Sequence, residues 1–143
     1  MGRNRRIIIT HSAEETLNLG MNFGLEIELK KNIVVCLSGE VGAGKTTFVK
    51  GVVHAITGIL PNQVVSPTFV YLRIYKNVYH FDLYRLDGCE EFLSLGFEEY
   101  LFAGGICFIE WSEKIISILP KRAIFVNLSH LTEESREISI SKS

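Results

Sequence analysis

One glycine-rich segment, placed between an apolar run and a helical pattern, constrains this chain more than any other feature. Gly39-Glu40-Val41-Gly42-Ala43-Gly44-Lys45-Thr46 matches the pattern G-x-x-x-x-G-K-[ST] at every fixed position. The β-branched run at residues 33–37 predicts a strand buried on both faces, and residues 44–57 predict a helix that ends at Gly58. A strand, this loop and a helix in that order are typical of a phosphate-binding loop in an α/β domain.

The residue types in this loop are suited to binding phosphate. Glycines let the backbone turn tightly with its N–H groups facing inward, which forms an anion-binding nest. Lys45 can supply a positive charge to the β- and γ-phosphates, and the hydroxyl of Thr46 can ligate Mg²⁺. The positive end of the helix dipole adds to this attraction. The loop therefore predicts a nucleotide site with Lys45 and Thr46 as its central side chains.

Two acidic residues are candidates to complete such a site. The apolar run at residues 106–109 ends in Glu110, and the carboxyl end of a parallel strand faces the crevice in which α/β sheets bind ligands. Asp82 lies in the segment His80-Phe81-Asp82-Leu83-Tyr84-Arg85, whose period-two alternation places the polar side chains on one face. Spacing alone favours contact of that face with solvent, and orientation toward a site is the alternative. The four histidines of the chain have no metal-ligand spacing.

Strand and helix patterns alternate along the chain, which predicts the α/β class with a mainly parallel central sheet. Residues 69–75 and 78–85 are rich in strand-forming residues and flank Lys76-Asn77, so they predict an attached antiparallel hairpin. At 143 residues with 47% hydrophobic content, the chain fits a single P-loop domain over residues 1–143. Further patterns predict short helices at 90–100, a helix at 112–119, and strands at 106–109, 123–128 and 136–140.

The spacing Ser12-x-x-Glu15 predicts the capped start of a first helix. In a capping box the first side chain accepts a hydrogen bond from the backbone three residues later, and the acid reaches back. Leu17, Met21 and Leu25 follow at helical intervals, so they are the expected apolar face of this helix.

Charge and composition limit the classes of partner. Fifteen Lys and Arg against sixteen Asp and Glu give a formal net charge of −1, so the chain has no electrostatic reason to bind nucleic acid or an anionic membrane unaided. No apolar stretch approaches the roughly 18–20 residues of a membrane span, and the apolar run after Arg5-Arg6 is too short for an export signal. Three cysteines without CxxC spacing indicate unpaired thiols in a reducing compartment. We therefore expect a cytoplasmic protein.

Three further motifs follow the phosphate loop. Val65-Ser66-Pro67-Thr68-Phe69 comes first, then His80-Phe81-Asp82-Leu83-Tyr84-Arg85-Leu86, then Ile109-Glu110-Trp111. Together with Gly42-Ala43-Gly44-Lys45-Thr46-Thr47, their order and spacing across residues 12–136 resemble the TsaE family, also called YjeE. This family consists of small bacterial P-loop ATPases that act in the synthesis of threonylcarbamoyladenosine in tRNA.

The resemblance implies a function and a set of site residues. It implies hydrolysis of ATP with Mg²⁺, and the partner proteins TsaD and TsaB, which modify adenosine 37 and hold the tRNA themselves. Lys45, Asp82 and Glu110 would be catalytic, with Asp82 positioning water or metal, and Thr46 and Glu110 would ligate Mg²⁺. Residues 66–69 would be a switch segment that moves with the γ-phosphate. The implied nucleotide contacts are Ser12, Gly42, Ala43, Gly44, Lys45, Thr46, Thr47, Trp111, Glu113 and Arg136.

Other classes of P-loop protein usually carry sequence features of their own. A GTPase would need an Asn-Lys-x-Asp motif, and the sequence contains none. A small-molecule kinase usually has a basic lid, and no arginine-rich segment of that kind is visible. A nucleotide-gated scaffold, whose task is binding, is a further alternative. For an ATPase, Arg85 is the only nearby candidate for an arginine finger, so we expect slow turnover without partners.

Overall fold

The computed structural model describes residues 5–28, 30 and 32–142, so part of the predicted domain at residues 1–143 lies outside the described residues. Among the described residues, seven strands form one sheet: β1 (Arg5–Thr10), β2 (Ile33–Gly39), β3 (Leu72–Tyr75), β4 (Val78–Asp82), β5 (Ile106–Glu110), β6 (Ile124–His130) and β7 (Arg136–Lys142). The α-helices are α1 (Ala13–Ile27), α2 (Lys45–Thr57), α3 (Cys89–Ser94) and α4 (Glu98–Leu101), and 3-10 segments span Pro61–Gln63 and Ser112–Ile118. No helix in this part of the chain combines the length and apolar character that a membrane span needs.

The strand order in the sheet is β1-β7-β6-β2-β5-β4-β3. The four central strands run parallel through the pairs β6–β2, β2–β5 and β5–β4. The outer pairs β1–β7, β7–β6 and β4–β3 are antiparallel. The α/β class, the mainly parallel centre and the antiparallel hairpin are therefore confirmed. Because parallel strands end at the same edge of a sheet, the carboxyl ends of β2, β4 and β5 meet at one place.

The sequence pattern misses the edge strand β1. Its apolar part is only three isoleucines behind two arginines, which is too short for a clear strand signal. In the structure it pairs along its whole length with β7, far away in the chain. Ile8 packs against the core, whereas Ile7 and Ile9 are exposed. The pairing with β7 specifies this strand, and a pattern within residues 5–10 cannot predict a pairing with a distant segment.

The sheet separates two hydrophobic cores. On one face, Val35 and Leu37 of β2 join a core that includes buried residues of α1 and α2. On the other face, Val34 and Cys36 of β2 join a core that includes buried residues of α3 and α4. The strand that leads into the phosphate loop is therefore buried on both sides, as its continuous apolar run predicts.

Glycines bring the backbones of α1 and α2 into close contact. A Cβ at Gly20 would overlap with the carbonyl oxygen of Phe48, and a Cβ at Gly51 would overlap with the carbonyl oxygen of Leu17. The predicted apolar face was wrong for Leu25, which is 55% exposed. The two backbones approach so closely that small residues face the partner helix, and this moves the buried face around α1. The buried residues of α1 are Thr16, Gly20, Phe23, Gly24 and Ile27.

The largest differences between predicted and observed elements lie at three places. β3 begins at Leu72 because residues 68–70 form a turn and Tyr71, which follows it, has a φ of 66°. β4 ends at Asp82 because its Oδ1 accepts a hydrogen bond from the Tyr84 N–H (3.1 Å) and the chain turns there. The segment at 112–119 is helical only as 3-10 turns, which are interrupted at Ile115.

The cysteines are free thiols, as the sequence predicts. Cys36 and Cys107 are buried, and Cys89 is half-buried. Burial raises the pKa of the Cys36 thiol, and it raises the pKa of Cys107 to about 12. Thiols with raised pKa values are less reactive, so these two are packing residues.

Candidate functional site

The phosphate loop connects the end of β2 to the start of α2. Gly39 has a φ of 144°, and a Cβ there would overlap with the carbonyl oxygen of Leu128 on β6. Gly44 is the N-cap residue of α2 with a φ of 101°, and no side chain caps the helix. The first N–H groups of a helix have no partner within it. The loop therefore presents free backbone donors at the start of α2, as an anion site requires.

Lys45 extends from the first turn of α2 back across the loop. Its Nζ donates hydrogen bonds to the carbonyl oxygens of Gly39 and, at 3.5 Å, Glu40. The same atom lies 3.8 Å from Oε1 of Glu110. The lysine is thus held between the loop and the end of β5, where a phosphate would compete for its charge.

Asp82 and Glu110 are neighbours at the carboxyl ends of β4 and β5. The parallel register pairs Asp82 directly with Glu110. Asp82 is 8% exposed and Glu110 is 7% exposed. The solvated interpretation of Asp82, which spacing alone favours, was therefore wrong. The β4–β5 pairing brings its polar face beside the phosphate loop, and this pairing cannot be deduced from alternation within one strand.

The electrostatic surroundings of Asp82 disfavour its ionised form. Burial raises the pKa of the Asp82 carboxyl, and the negative charge of Glu110 raises it further. The hydrogen bond from the Tyr84 N–H, with the charges of His80 and Lys45, opposes this rise. A carboxylate with a raised pKa takes up a proton more readily, which suits a group that accepts a proton from water.

His80 is the site residue that the sequence pattern does not single out. Its side chain is 1% exposed, and Nε2 lies 2.8 Å from Oε2 of Glu110. Alternation places it on the same face of β4 as Asp82, which is the available signal in the sequence. That signal becomes informative only when the register between β4 and β5 is known.

Lys45, Asp82 and Glu110 line one open cavity of about 770 Å³. Trp111 forms part of its wall, with its ring centroid 5.0 Å from that of Tyr84. The backbone of Trp111 has a φ of 62°, which bulky residues adopt rarely and which often marks functional sites. The lining residues are Val41, Gly42, Gly44, Lys45, Thr46, Thr47, Ser66, Thr68, Asp82, Tyr84, Glu110 and Trp111.

A second cavity of about 430 Å³ lies on the α1 side of the loop and shares Gly42, Gly44 and Thr47 with the first. Ser12 and Arg136 line it, so the structure brings these two predicted contacts to the loop. The Arg136 guanidinium donates to the carbonyl oxygen of Gly42 at 3.3 Å.

Ser12 caps α1 as the sequence predicts, because its Oγ accepts a hydrogen bond from the Glu15 N–H at 3.1 Å. The other half of the predicted capping box is displaced by one residue. The Glu15 carboxylate accepts from the backbone N–H of His11 at 2.7 Å, instead of from the N–H of Ser12.

Two predicted contacts stand apart from these cavities. Glu113 lines a small cavity of about 140 Å³ that also touches Lys45, Glu110 and Trp111. Ala43 has a fully buried methyl group, and its N–H donates to the carbonyl oxygen of Glu40 at 3.1 Å. The structure therefore gives Ala43 a part in shaping the loop.

The predicted switch segment forms an exposed wall of the site. The hydroxyls of Ser66 and Thr68 are 2.5 Å apart, and both residues line the main cavity. Phe69 is 81% exposed, and the guanidinium of Arg85 lies 5.0 Å from its ring centroid. Arg85 also donates to the carbonyl oxygen of Thr68 at 3.1 Å. The candidate arginine finger is thus bound to the switch segment and does not line the main cavity.

The oxygen donors of the site fit Mg²⁺ bound together with a nucleotide. Within the described ranges, no group of three or more His, Cys, Asp or Glu could hold a metal ion alone. Mg²⁺ commonly takes one or two protein oxygens and completes its shell with water and phosphate oxygens. Thr46 and Glu110 line the same cavity and offer a hydroxyl and a carboxylate. This donor set matches that preference.

Comparisons with known proteins agree with the fold and the motifs. The family profile described as threonylcarbamoyl adenosine biosynthesis protein TsaE matches residues 10–138. A tRNA threonylcarbamoyladenosine biosynthesis protein TsaE from Treponema pallidum is 36% identical over 135 residues, which cover 92% of this chain and 97% of that protein. The protein of the same description from Rickettsia typhi is 43% identical over 136 residues and covers 92% of each chain. The crystal structure of YdiB from Bacillus subtilis has a TM-score of 0.75 at 27% identity, and covers 99% of this chain and 87% of that one.

Proposed function

The chain belongs to the TsaE family of tRNA threonylcarbamoyladenosine biosynthesis proteins, and we propose that it is the Mg²⁺-dependent ATPase of that modification system. One observation carries this proposal. Lys45, Asp82 and Glu110, from three separate elements, converge at the start of α2 in one cavity. A cation for phosphate and carboxylates for metal and water are the parts that phosphoryl transfer to water requires.

Each residue would have a distinct task. The free N–H groups at the start of α2 would bind the phosphates, and Lys45 would exchange its carbonyl contacts for phosphate oxygens. Thr46 and Glu110 would hold Mg²⁺, which supplies positive charge to the β- and γ-phosphates. Asp82 would orient the attacking water and take its proton, a role that suits its raised pKa. Ser12, Thr47 and Arg136 would contact the nucleotide from the second cavity.

We propose TsaD and TsaB as partners, with tRNA bound through them. Arg85 is held by Thr68 and Phe69, so the isolated chain does not offer it as an arginine finger. Exposed apolar side chains surround the cavity, with Val41 at 94% and Phe69 at 81% exposure. A partner that covered them could also reorganise the switch segment. We infer that the protein acts in the cytoplasm, where such a system would meet tRNA.

The direct test compares Lys45→Ala and Thr46→Ala with Lys50→Ala, which changes a lysine on the same helix that does not line the cavity. The first two variants should lose Mg²⁺-dependent ATP turnover while their thermal melts stay close to that of the wild type. Lys50→Ala should keep its turnover. Unchanged turnover in either site variant would refute the P-loop assignment.

Turnover with and without partners separates the ATPase from its rivals. The isolated protein should hydrolyse ATP slowly, and purified TsaD and TsaB should accelerate it. A nucleotide-gated scaffold would bind ATP without such acceleration, and a small-molecule kinase would transfer phosphate to an acceptor other than water. Rapid turnover by the isolated chain would contradict a site that partners complete.

A further inference from the structure

His80 makes a contact that the roles proposed above do not explain. The imidazole is almost completely buried, and Nε2 lies within hydrogen-bond distance of Oε2 of Glu110, at 2.8 Å. An ionised carboxylate only accepts hydrogen bonds, so Nε2 carries the hydrogen and donates it. The imidazole of β4 is thereby bound to the carboxylate of β5.

The two oxygens of Glu110 consequently have different surroundings. Oε2 accepts from His80 inside the sheet, and Oε1 lies 3.8 Å from Lys45 Nζ. A carboxylate with one oxygen fixed by a buried donor cannot rotate freely about its terminal bond. The hydrogen bond from His80 therefore leaves Oε1 directed toward the phosphate loop.

We propose that His80 is a positioning residue, which holds Glu110 through Oε2 so that Oε1 stays available to Mg²⁺ in the nucleotide complex. This role rests on the proposed ATPase function. Groups that hydrogen-bond a metal-ligating side chain orient it, and their loss commonly costs about 10- to 100-fold in metal affinity or activity. His80 touches neither nucleotide nor metal in this role and acts only through Glu110.

Three variants separate positioning from packing. His80→Leu removes the donor and keeps most of the side-chain volume, whereas His80→Gln keeps an N–H donor at a similar reach. Val78→Ala is the packing control, because Val78 is fully buried on the same face of β4 and two residues away. Thermal melts of all three report how much stability each substitution costs.

The first readout is binding without turnover. The chain has a single tryptophan, Trp111, which follows Glu110 directly, so its fluorescence can report Mg²⁺ binding in the presence of a non-hydrolysable ATP analogue. His80→Leu should weaken the apparent Mg²⁺ affinity by about 10- to 100-fold and leave Mg²⁺-free nucleotide binding unchanged. His80→Gln should stay close to the wild type. Val78→Ala should lower the melting temperature without changing the Mg²⁺ affinity.

The second readout is a double-mutant cycle with Glu110→Gln. If His80 acts through Glu110, His80→Leu should weaken Mg²⁺ binding little further once Glu110 has been changed. Additive losses, a His80→Leu variant that behaves like Val78→Ala, or a His80→Gln variant as weak as His80→Leu would each overturn the positioning role. Absence of nucleotide binding in the wild-type protein would instead refute the ATPase function, so the two failures are distinguishable.

Discussion

Asp82→Asn is expected to make the protein slower and more stable at the same time. The carboxylate lies 8% exposed beside Glu110, its pKa is raised by burial and by that neighbouring charge, and the fold therefore opposes its ionisation. Asparagine has nearly the same shape, and its amide oxygen can still accept the hydrogen bond from the Tyr84 N–H. The substitution removes the charge and preserves the turn at the end of β4.

The loss of activity follows from the proposed role in orienting and deprotonating water. Removing such a group lowers turnover by roughly 10²- to 10⁴-fold, which corresponds to about 2.7–5.4 kcal/mol of transition-state stabilisation. ATP binding should be retained, because Lys45 and the loop amides are untouched. Single-turnover hydrolysis and equilibrium nucleotide binding would be measured on the same preparation.

The gain in stability depends on pH in a defined direction. In the unfolded chain an aspartate titrates near its ordinary pKa of about 3.9, and in the folded protein the pKa of Asp82 is higher. The native state thus binds this proton more tightly than the unfolded state. The corresponding stability is complete below about pH 3.9 and is lost as the pH rises through the folded-state pKa. At neutral pH the ionised Asp82 lowers the free energy of unfolding of the wild type. Asparagine carries no charge, so the variant does not lose this stability.

Urea unfolding of both proteins across the acid-to-neutral range would measure this effect. The variant's advantage in free energy of unfolding should grow from acid to neutral pH, with about 2–4 °C in melting temperature for each kcal/mol. Asp87→Asn makes the same chemical change at an exposed aspartate and should shift stability by no more than about 0.5 kcal/mol. A pH-independent difference would refute the electrostatic reasoning, and normal turnover would refute the catalytic role of Asp82.

Three further outcomes are expected. Glu110→Gln keeps the size of the side chain but removes its charge, so Mg²⁺-dependent nucleotide binding and turnover should both fall. Titration with Mg²⁺ in the presence of a non-hydrolysable ATP analogue measures the affinity for the metal, and an unchanged affinity would contradict a role of Glu110 as a ligand. Excess GTP should displace labelled ATP poorly, since the chain lacks an Asn-Lys-x-Asp motif, and equal displacement by both nucleotides would contradict adenine selectivity. In Gly51→Ala, the added methyl group would overlap with the carbonyl oxygen of Leu17. This overpacking should lower the free energy of unfolding by about 1–3 kcal/mol and the melting temperature by roughly 2–12 °C. An unchanged melting temperature would show that α1 and α2 can move apart without loss of stability.

The parts of the fold that were predictable are those with a strong local signal. The strand, loop and helix around Lys45 follow from a continuous apolar run, fixed glycines and a helix stop, and β2 and α2 confirm them. The place of Glu110 follows from a general rule about the ends of parallel strands. These features depend on residues that are close together in the chain, so local sequence patterns are enough to predict them.

The parts that were missed depend on distant residues. β1 exists because β7 pairs with it, and the buried face of α1 follows from its close contact with α2. His80 and Asp82 look like a solvated stripe until β5 is placed beside β4. Pairing between strands that are far apart in the chain decides which side chains meet. The alternation of polar and apolar residues within one strand does not indicate which strands pair.

The site has one wall that is far easier to open than the other. Glu110 ends a strand whose five residues are all buried, so displacing it would require the free energy of opening the sheet itself. Residues 68–70 instead form a turn with exposed side chains, and such segments open locally at small cost. Amide hydrogen exchange should therefore be slow at β5 and fast in residues 68–70. A bound nucleotide or partner can change the exchange of that loop while the carboxylates keep their positions.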